Sequence, residues 1–146
     1  MNFGATIEIE VPPEIAWSVL CDVERWPEWT RSVTSVRRLE AGPFTVGSRV
    51  RICQPKLLPA IWRVTELKEN RNFTWVTVSP GIHTIAGHRV EPHAGGCRVT
   101  FSLILAGLLA PLLGRLMRSR IERYIQMEAS GLKARSEERA KGVITP

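Results

Sequence analysis

The chain predicts an α+β fold: a curved seven-stranded antiparallel sheet wrapped around a long C-terminal α-helix, with two short helices between strands 1 and 2. Three observations predict it. Polar and apolar residues alternate over seven stretches, the last six separated only by turn chemistry. Two prolines and a tryptophan-rich segment interrupt the series after the first stretch. Apolar residues at helical spacing then occupy the tail. With 146 residues, 44% of them hydrophobic and 23% charged, the chain fits one domain over residues 1–146, with a core at about 3–138 and a frayed tail at 139–146.

The first strand is expected at residues 6–11, where Ile7, Ile9 and Val11 alternate with Thr6, Glu8 and Glu10. Pro13 suits the first turn of a helix, where its missing N–H costs nothing. That helix runs to about Asp22, turning Ile15 and Val19 inward, with Trp17 and Leu20 as further candidates. A second helical turn holds Trp26-Pro27-Glu28-Trp29. Strands follow at 32–39, 47–53, 61–67, 73–78, 82–91 and 97–105, divided by turns such as Glu40-Ala41-Gly42-Pro43 and Ala94-Gly95-Gly96. From about Leu108 to Ala140, the residues Leu112, Leu113, Leu116, Met117, Ile121, Tyr124, Ile125 and Leu132 mark one amphipathic helix. Gly131 inside it marks close packing or a bend. A strongly curved sheet around one helix leaves room for a cavity between them.

Composition narrows the function. The formal net charge is +6, and much of the excess falls after Gly114, interleaved with Glu122, Glu128, Glu137 and Glu138. That pattern is a solvated helix face rather than a nucleic-acid stripe. Cys21, Cys53 and Cys97 are odd in number and scattered, so they form neither a disulfide framework nor a zinc pattern. Free thiols and a start without a leader peptide point to the cytoplasm. The three histidines lack ligand spacing, so no metal and no cofactor is expected.

Several pieces of the chain carry a resemblance. Val11-Pro12-Pro13-Glu14-Ile15-Ala16-Trp17 and Asp22-Val23-Glu24-Arg25-Trp26-Pro27-Glu28-Trp29 are similar to the SRPBCC superfamily, the START-like, birch-pollen-allergen-like proteins with a helix-grip fold. Trp62-Arg63-Val64, Gly87-His88-Arg89-Val90-Glu91-Pro92 and the segment from Gly107 to Arg115 extend the match. Within that superfamily the chain most resembles the polyketide cyclase/dehydrase and lipid-transport type. The resemblance implies a hydrophobic or amphipathic ligand, such as a lipid, polyketide, sterol or quinone, held between sheet and C-terminal helix.

Candidate ligand-binding residues are Trp17, Trp29, Trp62, Trp75, His88, Phe101, Met117 and Tyr124. His88 is the best candidate for a catalytic group: an inward imidazole would hydrogen-bond a carbonyl or move a proton near neutral pH, against a structural role bonded to a neighbour. Trp62 and Trp75 lie on consecutive strands and either line a cavity or pack the core. Trp17, Trp26 and Trp29 either pin the small helices or wall the pocket mouth, and Pro27 makes Trp26 the more structural of them. Tyr124 would bring its hydroxyl to the helix–sheet seam. Arg63 and Glu66 are expected on opposite faces, and Arg89 shares a face with Glu91; a convex solvent face is the simpler place for both arginines.

Three functions remain in play. The first is a binding or carrier module. The second is a cyclase/dehydratase-type enzyme, for which no acid–base pair is evident. The third is a membrane-surface or protein-interaction domain, with 103–117 as the apolar contact and Arg115, Arg118, Arg120 and Arg123 as the basic one. Any membrane contact would be peripheral, and the chain would be a monomer or homodimer.

Overall fold

In the computed structural model, which describes residues 1–142, the strands are β1 (Asn2–Ile9), β2 (Ser35–Arg38), β3 (Arg49–Cys53), β4 (Ala60–Lys68), β5 (Asn72–Ser79), β6 (Ile82–His93) and β7 (Gly96–Ala106). Their spatial order is β1-β7-β6-β5-β4-β3-β2, with every pair antiparallel. Strands β2 to β7 therefore form the expected meander, and β1 adds to its far edge. The chain must cross from one edge of the sheet to the other between β1 and β2. Helix α1 (Pro13–Cys21) and a 3-10 helix (Val23–Glu28) make that crossing. Helices α2 (Ala110–Leu116) and α3 (Arg118–Ala140) follow β7.

Pro12 and Pro13 start α1 as expected: the Pro12 carbonyl accepts from Ile15 N–H at 3.1 Å, and Ala16, Trp17, Val19 and Leu20 are buried. Strand β1 begins four residues earlier than the alternation at Thr6 indicated, because Asn2 to Ala5 pair with Ile104 to Phe101. Its ladder ends at Ile9, although Val11 remains buried.

One register expectation changes. Arg63 and Glu66 lie on one face, not two, because a bulge between Val64 and Glu66 adds a residue to β4: Arg63 faces Val76 and Glu66 faces Thr74. Both are exposed, as is Arg89. A glycine inside a strand marks either a bulge or a close approach, and Gly87 keeps regular pairing with Thr74 and Ser102. It marks close approach instead, since a β-carbon there would lie 2.5 Å from the Ser102 hydroxyl.

The single long helix is divided at Met117, whose φ of −105° and ψ of 6° leave the helical region. The start of α2 is tied to the β5–β6 turn by the Leu109 N–H to the Gly81 carbonyl, at 2.9 Å. Helix α3 follows the sheet instead, so Met117 absorbs the change of course. Tyr124, Ile125, Ala129 and Leu132 form the buried stripe of α3. Gly131 serves close packing: a methyl there would lie 1.9 Å from the Trp29 carbonyl oxygen. Of the expected tail, Arg139 and Ala140 belong to the last turn of α3, Lys141 and Gly142 to the turn after it, and 143–146 lie outside the described residues. Among the described residues the three cysteines are unpaired, and no helix is long and apolar enough to cross a membrane.

Candidate functional site

The concave face of the sheet and the inner stripes of α2 and α3 enclose a cavity of about 230 Å³. Alternation along the strands aims Trp62, Trp75, His88 and Phe101 at it from the sheet. Leu113, Met117, Ile121, Tyr124, Ile125 and Glu128 line it from the helices. Their three- and four-residue spacing keeps them on one side across the break at Met117. Trp26 closes one end, and Leu57 and Leu58 of the β3–β4 loop reach it from another side.

His88 sits in an aromatic box. Its ring stacks on Phe73 at 4.2 Å and meets Trp26, Trp75 and Phe101 edge-on at 5.7, 5.4 and 5.7 Å. Nδ1 lies 3.1 Å from the Phe73 carbonyl oxygen. A carbonyl only accepts, so Nδ1 carries the proton. In the neutral ring Nε2 is then a bare acceptor, and it has no partner among the described residues. Burial brings the imidazole down to about 4, partly offset by the bond to Phe73. At neutral pH His88 is therefore uncharged.

Glu128 provides the second polar group. In the sequence it stands as one of the acids in a charged run. Its position told more: it lies four residues after Tyr124 and four before Leu132, on the apolar stripe of α3. The loop after the 3-10 helix meets it there. The Ser32 hydroxyl donates to Glu128 Oε2 at 3.1 Å, which leaves the Thr30 hydroxyl to donate to Ser32 at 2.8 Å. Gln54 donates to the Ser32 carbonyl at 3.2 Å and completes this corner. Among the described residues no cation pairs with the carboxyl and Oε1 has no partner. Burial raises Glu128 to about 7, against a smaller lowering by the Ser32 bond. It is thus a donor or an acceptor near neutral pH.

Of the expected site residues, Trp62, Trp75, His88, Phe101, Met117 and Tyr124 line the cavity. Trp62 and Trp75 are diagonal neighbours with ring centroids 6.0 Å apart, since Val64 rather than Trp62 faces Trp75 directly. The Tyr124 hydroxyl is engaged, donating to the Pro55 carbonyl. Trp17 and Trp29 do not line the cavity. Trp17 packs edge-on to Phe73 at 6.2 Å, and Trp29 packs behind Trp26 at 5.3 Å. Trp26, assigned the more structural part, does both jobs: its Nε1 donates to the Leu20 carbonyl at 2.9 Å while its ring walls the cavity. Trp29 lies just past the end of the 3-10 helix, where its φ of −128° leaves the helical region, and its ring rests on Trp26 while Trp26 meets Trp75 of the sheet at 5.4 Å.

The arrangement offers apolar walls, an uncharged imidazole acceptor and a carboxyl at its titration point. It can orient a molecule with one donor and one acceptor, and it places two proton-carrying groups on the wall of one cavity. Among the described residues no three His, Cys, Asp or Glu side chains gather as a metal site.

Solved structures share this architecture. The ZhuI aromatase/cyclase of a Streptomyces species superposes with a TM-score of 0.76 at 16% identity, over 98% of this chain and 97% of that one. A START superfamily protein of Mycobacterium smegmatis gives 0.73 at 17% identity, over 94% and 97%. Ara h 8.0201 gives 0.75 at 12% identity, over 94% and 98%. At such identities the likeness concerns the fold, which is the helix-grip fold of the START and birch-pollen-allergen-like proteins. No curated protein matches the chain in sequence. The family model described as polyketide cyclase/dehydrase and lipid transport, however, matches residues 2–137. Over nearly its whole length, then, the chain belongs to the polyketide cyclase/dehydrase and lipid-transport family.

Proposed function

We propose that this chain is a one-domain binding or carrier protein for a compact hydrophobic molecule bearing both a hydroxyl and a carbonyl, such as a phenolic ketone or hydroxyquinone. Family and fold support hydrophobic ligand binding or polyketide cyclase-type function. One observation carries the finer reading: in a cavity walled mainly by aromatic and aliphatic side chains, His88 Nε2 and Glu128 Oε1 have no partner among the described residues. A ligand hydroxyl would donate to the imidazole, and protonated Glu128 would donate to a ligand carbonyl. The volume of about 230 Å³ lies below the ~300–1,000 Å³ of drug-sized pockets and favours a compact ring system or the tip of a longer chain. The unpaired cysteines fit a cytoplasmic setting.

Titration with a hydroxynaphthoquinone tests the reading, because Trp26, Trp62 and Trp75 report occupancy through fluorescence quenching. His88→Phe and Glu128→Leu are each expected to weaken binding about tenfold, the worth of one buried hydrogen bond. Unchanged affinity in both variants would reject it.

The same pair supports a second reading, an enzyme of the cyclase/dehydratase kind. A neutral imidazole and a carboxyl raised to about 7 are matched for proton removal and return beside a carbonyl. Incubation with a poly-β-keto thioester mimic separates the two readings. Conversion by the wild type, lost in Glu128→Gln while binding persists, would select the enzyme; binding without conversion would select the carrier.

A further inference from the structure

The mouth of the cavity has a chemistry of its own. The β3–β4 loop, the β5–β6 turn and the β7–α2 connection all leave the sheet at the same end, because the strands between them are antiparallel. At that end large apolar side chains stand in solvent: Leu58 is 89% exposed, Val78 64%, Leu108 95%, Leu112 57% and Leu116 73%. Leu58 also lines the cavity, and Leu113 and Met117 line it from the same turns that expose Leu112 and Leu116. Single exposed leucines are ordinary; a cluster around a cavity mouth marks a contact surface.

Charge identifies what it contacts. Residues 54–59, 79–82 and 106–121 build this end, and they hold Lys56, Arg115, Arg118 and Arg120 with no Asp or Glu. None of these cations forms an ion pair among the described residues, although Arg25, Arg49, Arg98, Lys133 and Arg135 elsewhere all do. The opposite end is mixed, with Lys68, Glu69 and Arg71 in one turn and His93 paired with Glu8 beside another.

We propose that the cavity mouth docks on an anionic lipid bilayer, with Leu58, Leu112 and Leu116 entering the acyl boundary and Lys56, Arg115 and Arg118 meeting the headgroups. Leucines ringed by cations without carboxylates match the two layers of such a surface, apolar below and negative above. Docked this way, the cavity opens toward the acyl region instead of water. The docking is separate from the identity of the cavity's occupant.

Flotation of the full chain with phosphatidylcholine vesicles, with and without phosphatidylglycerol, tests this with no ligand added. Binding is expected only with phosphatidylglycerol, and it weakens as salt is raised. The double variant Arg115→Glu/Arg118→Glu is expected to lose about tenfold or more in partitioning. Leu112→Asp/Leu116→Asp alters two exposed side chains outside the cavity wall. It should lose the vesicles while keeping its circular dichroism and its hydroxynaphthoquinone affinity. Absence of binding to phosphatidylglycerol vesicles at low salt overturns the proposal. So does binding that ignores the leucine variant, which would be adsorption by charge alone. A wild-type dimer in sedimentation that Leu112→Asp/Leu116→Asp converts to monomer overturns it too, by assigning the patch to a second copy.

Discussion

The two walls of the cavity reach the same electrostatic end by opposite routes. The sheet wall is aromatic and holds a base, His88; the helix wall is largely aliphatic and holds an acid, Glu128. Burial lowers the base to about 4 and raises the acid to about 7, so both shifts favour the uncharged form. Neither group has an oppositely charged partner among the described residues, and each keeps one hydrogen bond to a neutral neighbour, Phe73 or Ser32. The walls are thus not an ion pair divided by a gap. They form one space in which burial disfavours charge on either group, which suits a neutral ligand with polar ends.

The seam between the walls should be the most sensitive place. Trp26 touches Trp75 and His88 of the sheet at 5.4 and 5.7 Å, and Trp29, whose carbonyl rests on Gly131 of α3, at 5.3 Å. At 2% exposure it belongs fully to the interior. Trp26→Ala is expected to cost about 3–5 kcal/mol in urea unfolding. A loss under about 1 kcal/mol would mean that the walls stand without it.

The opposed shifts themselves give the next largest effect. Between pH 4.5 and 7, folded Glu128 keeps a proton that the unfolded chain has released, so its contribution to stability falls as pH rises. Between pH 6.5 and 4, folded His88 refuses a proton that the unfolded chain has taken, so its contribution falls as pH drops. In the window where both operate, from pH 4.5 to 6.5, the two slopes cancel. Glu128→Gln removes one of them. Its stability relative to wild type should rise by about 3 kcal/mol from acid to neutral pH, and that of His88→Phe should fall by a similar amount. Denaturant titrations of the three proteins across this range check it. A difference that does not vary with pH, in either variant, breaks the comparison of the walls.

The helix wall has a tighter fit than the sheet wall, and a single methyl tests it. Gly131→Ala would favour an isolated helix by about 1 kcal/mol. Here the methyl would meet the Trp29 carbonyl at 1.9 Å, and backbone cannot swing aside like a side chain. Net destabilisation of about 1–3 kcal/mol is expected. A more stable variant would show that α3 can retreat from the 3-10 helix.

How much of this was legible depended on the periodicity at each place. Strands such as 49–53 and 96–106 alternate cleanly, so order and turns could be read directly, and the Val-Pro-Pro start of α1 is unambiguous in its chemistry. The bulge in β4 left only a faint trace: Glu66 stands where the alternation of Trp62 and Val64 calls for an apolar residue, and the extra residue becomes plain only against β5. The break at Met117 was hidden, since the inward stripe continues across it. Glu128 was readable in principle, as an acid at the core spacing of α3, but its neighbours Arg123, Glu122 and Lys133 made it look like part of a solvated face. The exchange among Trp17, Trp26 and Trp29 depended on the 3-10 turn, which composition does not distinguish from an α-helical one.

Tyr124 offers the smallest and sharpest test, because its ring and its hydroxyl serve different ends. The ring belongs to the helix wall, while the hydroxyl donates to Pro55 in the β3–β4 loop and so latches that loop to α3. Tyr124→Phe keeps the ring and releases the latch. Water can replace the lost donor, since the adjoining loop residues Lys56 and Leu58 are exposed, so the cost should be about 0.5–1.5 kcal/mol. Hydroxynaphthoquinone affinity should change by less than about twofold, against the tenfold expected at His88 and Glu128. A larger loss of affinity would show the hydroxyl turning from Pro55 to the ligand. The helix wall would then hold two polar anchors where the sheet wall holds one, and the balance between them would have to be redrawn.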